Sequence, residues 1–319
     1  MFPSVPSYWQ LLLLIVPVFV LIGAGVVARR VGWVEGEAET SLIRLVVNLC
    51  FPCLIFETVS GNTALREPEN LILPPLIGFC LAWFGIQAGR VMAKAIGLQV
   101  GTGLRTFALT VGLTNFGYLP LPIMEAIWGP ESRGVLLVHN VGMEIAVWTV
   151  GVLTLSGESI TQGWRRIISP ITISIVLAII CNLSGLTAHL PKVFTDAVHA
   201  LGVCAVPLGL IMTGANLANY LGEPRKLFDF KVSVAANVLR FGILPVCFLL
   251  VAKYLPLSVE LKRVIVVQAA MPTAVVPIIL ARLYGGHPHT AVQIVLGTTA
   301  LGLLVIPLWL RAGLAWVGV

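Results

Sequence analysis

The sequence predicts an all-α integral membrane protein of ten transmembrane helices. They form two inverted five-helix repeats, with broken, crossing helices four and nine. Three observations carry the prediction. Hydrophobic residues make up 58% of the 319-residue chain and charged residues only 11%, against about 25% charged in soluble domains. The apolar runs reach the ~20 residues that a bilayer crossing needs. Proline-interrupted apolar segments also recur at one spacing: Pro52 and Pro207, and again Pro122 and Pro277, lie 155 residues apart.

Taken in order, the apolar runs place spans at roughly 8–28, 38–60, 70–96, 104–128, 133–156, 165–186, 192–219, 228–253, 261–283 and 290–313. The first run follows a stretch with no Lys or Arg before Trp9 and ends at Arg29-Arg30. It lacks the basic n-region of a secretory signal, so it reads as an anchored helix. Loops are short and carry charge, Gly or Pro. The polar connection from Ser156 to Trp164 divides the chain into residues 1–160 and 161–319. The 155-residue offset pairs span two with seven and span four with nine. Five spans per unit is an odd number, so the second unit enters the membrane upside down, as in many alternating-access carriers.

The net charge of +6 sits mostly in short loops and acts as a topology signal, not a nucleic-acid footprint. Eleven Lys and Arg fall on one side (Arg29, Arg30, Arg90, Lys94, Arg105, Arg165, Arg166, Arg225, Lys226, Lys231, Arg282) and seven on the other. The richer side is expected to be cytoplasmic. Both termini then lie on the non-cytoplasmic side of the cell (inner) membrane. The six cysteines all lie in apolar stretches and read as small hydrophobes. Cys50-Phe51-Pro52-Cys53 has redox spacing without the βαβ context that redox chemistry needs. No phosphate-binding Gly-x-x-x-x-Gly-Lys loop and no His-Glu-x-x-His zinc motif occurs, which argues against ATP drive and zinc catalysis. A membrane enzyme lacks a recognisable catalytic set, and no metal or organic cofactor is expected.

The breaks are the richest candidate site. Proline removes a backbone donor and clashes with the preceding turn, and freed backbone groups in hydrocarbon need partners or a wet cavity. Breaks are expected at Gly117–Pro122 and Pro272–Pro277. Half-helices that start there aim positive dipole ends at the membrane midplane, a place suited to an anion. Candidate substrate contacts are Asn115, Gly117 and Pro120 in the first break and Pro272 and Thr273 in the second. Asn115 has a plainer reading as a half-helix cap. Asn48, Thr213 and Asn216 flank the Pro52 and Pro207 breaks and read as helix-contact groups.

Among the intramembrane charges, Glu39, Asp196 and Asp229 lie at span ends and are set aside. Glu57 and Glu125 sit near outer ends. Glu144 is central, and a buried carboxylate is expensive and usually functional. It is a candidate proton carrier, sodium ligand or partner of a cation. Asn140 shares its helix face, and both are expected to line one cavity in a coupling or gating role. Arg240, some twelve residues into span eight, is too deep to snorkel. It is expected to pair with Glu144, to attract an anion, or to serve in a structural ion pair. His139 reads as a packing residue. The Gly85–Gly89 spacing suits close helix contact.

At these residues the chain resembles the auxin efflux carrier family, including its bacterial members. The resemblance is clearest at Asn48 to Phe56, Asn115 to Pro122, Ala269 to Pro277 with Ala281 and Tyr284, and from Thr298-Thr299 to Pro307. It implies a scaffold of spans one, two, six and seven, a moving transport domain from spans three to five and eight to ten, and a homodimer through the scaffold. It also implies carriage of organic anions, auxin in plants and dicarboxylates such as malate or malonate in bacterial relatives. The family's crossover asparagine maps onto Asn115. Plant carriers typically have glutamine where Glu144 falls, and their long loop between the repeats is very short here. The reading is therefore a secondary transporter of a small organic anion, with proton or sodium coupling through Glu144. A passive anion channel or uniport facilitator is the alternative.

Overall fold

The computed structural model describes residues 5–156, 168–221 and 229–319. The connection between Ser156 and Trp164, and the first residues expected for spans six and eight, lie at least partly outside them. The described residues are helical apart from turns, loops and one antiparallel β-bridge, between Thr114 and Thr273.

The helices, in chain order, are α1 (Tyr8–Val31), α2 (Gly36–Ser60), α3 (Glu69–Ala95), α4 (Leu104–Gly112), α5 (Pro120–Trp128), α6 (Pro130–Ser156), α7 (Pro170–Ser184), α8 (Lys192–Ala218), α9 (Phe230–Tyr254), α10 (Val259–Ala270), α11 (Val276–Leu283) and α12 (Pro288–Val317). Among the described residues, seven are long and apolar enough to cross a membrane: α1, α2, α3, α6, α8, α9 and α12. The apolar α7 is shorter, and α4, α5, α10 and α11 have half-span lengths. The chain is a multi-pass membrane protein.

Capping chemistry sets several ends. Ser7 accepts from the Gln10 amide while the Gln10 side chain accepts from the Ser7 amide, a capping box that starts α1. Gly32, at φ 84°, ends it in the left-handed region that glycine enters freely. Asp229 caps α9 through the Lys231 and Val232 amides.

Two packing groups emerge. α1, α2, α7 and α8 pack on one another, α3, α4, α6 and α9 to α12 form the second group, and α1 against α12, with α5 touching α1, α6 and α10, joins the two. Backbone contact replaces side chains at the tightest crossings. A Cβ on Gly25 would lie 1.9 Å from the Ile211 carbonyl oxygen, and one on Gly85 2.4 Å from that of Gly112. The Gly85 contact bears out the close-packing reading of that spacing.

The breaks differ from the sequence expectation. The first runs from Leu113 to Leu119 and the second from Met271 to Val275. Pro120 and Pro122 therefore lie in the first turn of α5, and Pro277 in the first turn of α11. Proline fits there because first-turn amides have no intrahelical partner and its fixed φ is already helical. Pro207 makes no break: α8 is continuous through it. Near Pro52 the helix is not severed but widens to a π-turn at Val46–Cys50, and similar turns occur at Val147–Gly151 and Leu239–Ile243. Such turns are frequent at functional positions.

Candidate functional site

The two breaks meet face to face. The Asn115 amide donates to the Pro272 carbonyl at 2.7 Å, and the Ala274 amide donates to the Leu113 carbonyl at 3.0 Å. Backbone groups freed by each interruption are thereby satisfied by the other, which unwound chain at membrane depth requires.

A buried side-chain relay holds the first break. The Thr114 hydroxyl donates to Gln268 Oε1 at 2.9 Å, Gln268 Nε2 donates to Asn140 Oδ1 at 3.4 Å, and Asn140 Nδ2 donates to the Phe116 carbonyl at 2.7 Å. The first break is thereby tied to α10 and α6. Gln268 was not among the expected site residues; its only sequence signal is an amide inside an apolar run.

Asn115 is 8% exposed. Its side-chain amide has no hydrogen-bond partner among the described residues, and α5 begins without a side-chain cap. The capping reading therefore gives way, and a donor and an acceptor stand free at the break. Gly117, Asn140 and Glu144 line one small cavity of about 50 Å³, together with Phe51 and Ile175. The expectation that Asn140 and Glu144 share a cavity is met. Glu144 Oε1 accepts from Trp148 Nε1 at 2.6 Å, across the start of the π-turn in α6.

The second break is buried more deeply. Thr273 is 0% exposed; its amide donates to Thr298 Oγ1 at 3.3 Å, and the two hydroxyls share a hydrogen bond of 2.8 Å. Pro272 is buried, with its carbonyl taken by Asn115. Pro120 is buried too and starts α5; with Pro122 it leaves that first turn two amides short, so the dipole end offers fewer donors than expected.

Arg240 is fully buried in the π-turn of α9. No ion pair joins it to Glu144 among the described residues. Its Nη2 approaches the Gln268 and Ala269 carbonyls at 3.4 and 3.5 Å, and its guanidinium lies 5.6 Å from the Phe248 ring centre. Nε and Nη1 have no partner among the described residues. The charge thus stands at the carbonyl end of α10, where a cation offsets the negative end of the helix dipole, and it lines neither cavity described here. Trp309 Nε1 secures the same turn by donating to the Phe241 carbonyl at 2.7 Å.

His139 is fully buried, and a Cβ on Gly78 would lie 3.3 Å from its Nε2; it fits the packing reading. A larger cavity of about 450 Å³ opens toward the face where α1 begins. Its walls are Leu, Val and Pro from α1, α2, α5 and α8, and its polar groups form two pairs: His199 Nδ1 with Glu57 at 2.6 Å and Arg133 with Glu125 at 3.0 Å. At the opposite face Arg282 of α11 donates to the Tyr220 hydroxyl just past α8 and lies over its ring. Burial pushes the Tyr220 phenol above its ordinary value, against the opposing pull of Arg282. It therefore stays protonated and accepts. Glu39, set aside by its position, is buried beside this contact and accepts from Asn216 at 2.9 Å and Asn219 at 3.2 Å. Asn182 is buried and donates to the Val59 and Asn62 carbonyls.

Paired interrupted helices inside a multi-pass bundle are an arrangement that membrane transporters use. The chain belongs to the family described as membrane transport protein, whose model matches it twice, over residues 11–163 and 158–310; auxin efflux carriers are among its relatives. It is 26% identical over 301 residues to an uncharacterized transporter of Methanocaldococcus jannaschii, covering 92% of this chain and 95% of that one. An uncharacterized transporter of Methanothermobacter thermautotrophicus is also 26% identical, over 305 residues (92% and 96%). Auxin efflux carrier component 8 of Arabidopsis thaliana is 22% identical over 342 residues (86% and 89%).

Proposed function

We propose that the chain is a secondary transporter of a small organic anion that binds at the paired breaks and alternates access between the two faces. The observation that carries this reading is the unpartnered Asn115 amide two residues before Gly117, which lines a cavity with Asn140 and Glu144. Half-helix ends and the nearby buried charge of Arg240 favour an anion there.

Ten spans follow if α4 with α5, and α10 with α11, each cross once and α7 crosses as a short helix. Two inverted repeats, residues 1–160 and 161–319, are supported by register. When the last residues of α4 and α10, Gly112 and Ala270, are aligned, Asn115 falls on Thr273 and Asn140 on Thr298. Each of the latter two secures its own break. The double match of the family model supports the same division. In this reading α1, α2, α7 and α8 are the scaffold, also the surface for a homodimer, and the remaining helices move as the transport domain. The large cavity is the open vestibule, and the Arg282–Tyr220 contact closes the other face. In this reading the vestibule and both termini face the non-cytoplasmic side of the cell membrane, which the excess of Lys and Arg in the loops of the other side supports.

Glu144 couples transport to H+ or Na+. On the structural register it falls on Gly302, so the titratable group occurs in one half only. Counterflow and uphill accumulation of malonate or malate in proteoliposomes test the carrier reading; a channel shows neither. Glu144→Gln is expected to keep exchange while removing the pH or sodium dependence of uphill uptake. Unchanged dependence would end the coupling role.

A further inference from the structure

One side chain at the first break has no part in the account so far. Tyr118 occupies the last turn before α5, and its ring sits in the notch left by Gly209 of α8. A Cβ at Gly209 would stand 2.1 Å from Tyr118 Cε1 and 2.4 Å from Cδ1. No side chain larger than hydrogen fits there while the ring stays. Phe51 of α2 closes the slot edge-on, with ring centres 5.4 Å apart and planes at 86°. Both walls belong to the α1, α2, α7, α8 group, whereas Tyr118 belongs to the break that pairs with Met271–Val275.

The slot lies between the two cavities. Phe51 lines the 50 Å³ cavity, while Leu54 on the same helix and Leu210 next to Gly209 line the 450 Å³ cavity. No residue lines both. The small cavity, at about 50 Å³, has room for only a few waters, well short of the ~300 Å³ at the lower end for ligand pockets. A solute coming from the large cavity must therefore move something before it can reach Gly117 and Glu144. Tyr118 is suited to move. Its hydroxyl has no hydrogen-bond partner among the described residues, so shape alone holds the ring. Leaving the notch breaks no hydrogen bond and frees a donor for an incoming carboxylate.

We propose that Tyr118 is a gating residue: seated between Gly209 and Phe51, it closes the passage from the large cavity to the Asn115–Glu144 site, and a small organic anion enters by displacing it. The identity of the solute rests on the transport reading above; the geometry of the gate does not.

The test needs no substrate. A thiol is introduced by Gly117→Cys, where a Cβ meets nothing within 4 Å, in a background with all six native cysteines replaced. Its rate of labelling by a membrane-impermeant methanethiosulfonate is measured in proteoliposomes. Overpacking by one methyl is enough to bias such an equilibrium by about tenfold. Gly209→Ala is therefore expected to speed labelling by about that factor, Tyr118→Ala to speed it at least as much, and Tyr118→Phe to leave it unchanged. In the double variant Gly209→Ala should add nothing to Tyr118→Ala, and the thermal stability lost in Gly209→Ala should return, which also answers the case of a poorly folding single variant. Equal effects of Gly209→Ala with and without the ring, or unchanged labelling in Tyr118→Ala, would overturn the gate. Failure of malonate counterflow with these labelling results intact would remove the transport reading and leave the gate standing.

Discussion

The two breaks share a backbone plan but divide the work. The first, Leu113 to Leu119, leaves Phe116, Gly117 and Tyr118 partly accessible and the Asn115 amide unpartnered. The second, Met271 to Val275, buries Pro272 and Thr273, commits the Thr273 hydroxyl to Thr298, and has Arg240 against the carbonyls that end α10. The difference teaches that matching interruptions need not make matching contacts. The first arm leaves the Asn115 amide unpartnered two residues from Gly117, which lines a cavity; the second commits its side-chain hydroxyl to Thr298 of α12. Thr273 and Pro272, which look like substrate contacts in the sequence, stand with the supporting arm.

The comparison can be broken by paired substitutions. The largest effect is expected at the open arm. Asn115→Ala should lower malonate or malate counterflow by tenfold or more, since a hydrogen bond to a charged group is worth roughly 1.5–3 kcal/mol, and should leave thermal stability nearly unchanged. On the buried arm the signs reverse. Arg240→Gln removes the cation facing the α10 carbonyls, worth up to about 2 kcal/mol. It also relieves two buried donors without partners among the described residues, so the unfolding temperature in detergent should fall by less than the dipole alone would give. Thr298→Val should cost about 1 kcal/mol through the lost hydrogen bond to Thr273, with solute affinity little changed in the molecules that remain folded. A large affinity loss in Thr298→Val with normal stability would mean that the second arm contacts the solute as well.

Much of the fold was legible because its signals are local. Apolar runs and their bounding charges located the helices to within a few residues, and the prolines marked both breaks. Their extent was not legible: Pro120 and Pro277 start helices, and the unwound chain precedes them. Pro207 shows why a proline alone decides little, since α8 carries it without interruption. The site was half legible. Asn115, Asn140 and Glu144 stand out as polar groups in apolar helices. Gln268, Tyr118 and Glu39 take their roles from contacts far away in the chain, with Asn140, Gly209 and Asn216 respectively, and no local pattern reports such contacts. Arg240 was noticed for its depth, but its partners are backbone carbonyls, which sequence does not distinguish.

The most direct test of the division between the arms is malonate counterflow measured side by side for Asn115→Ala and Thr273→Val in proteoliposomes with matched amounts of folded protein. The account predicts that Asn115→Ala loses exchange while Thr273→Val keeps a near-normal half-saturation concentration despite a lower unfolding temperature. Equal loss of affinity in both, or normal exchange in Asn115→Ala, would contradict it.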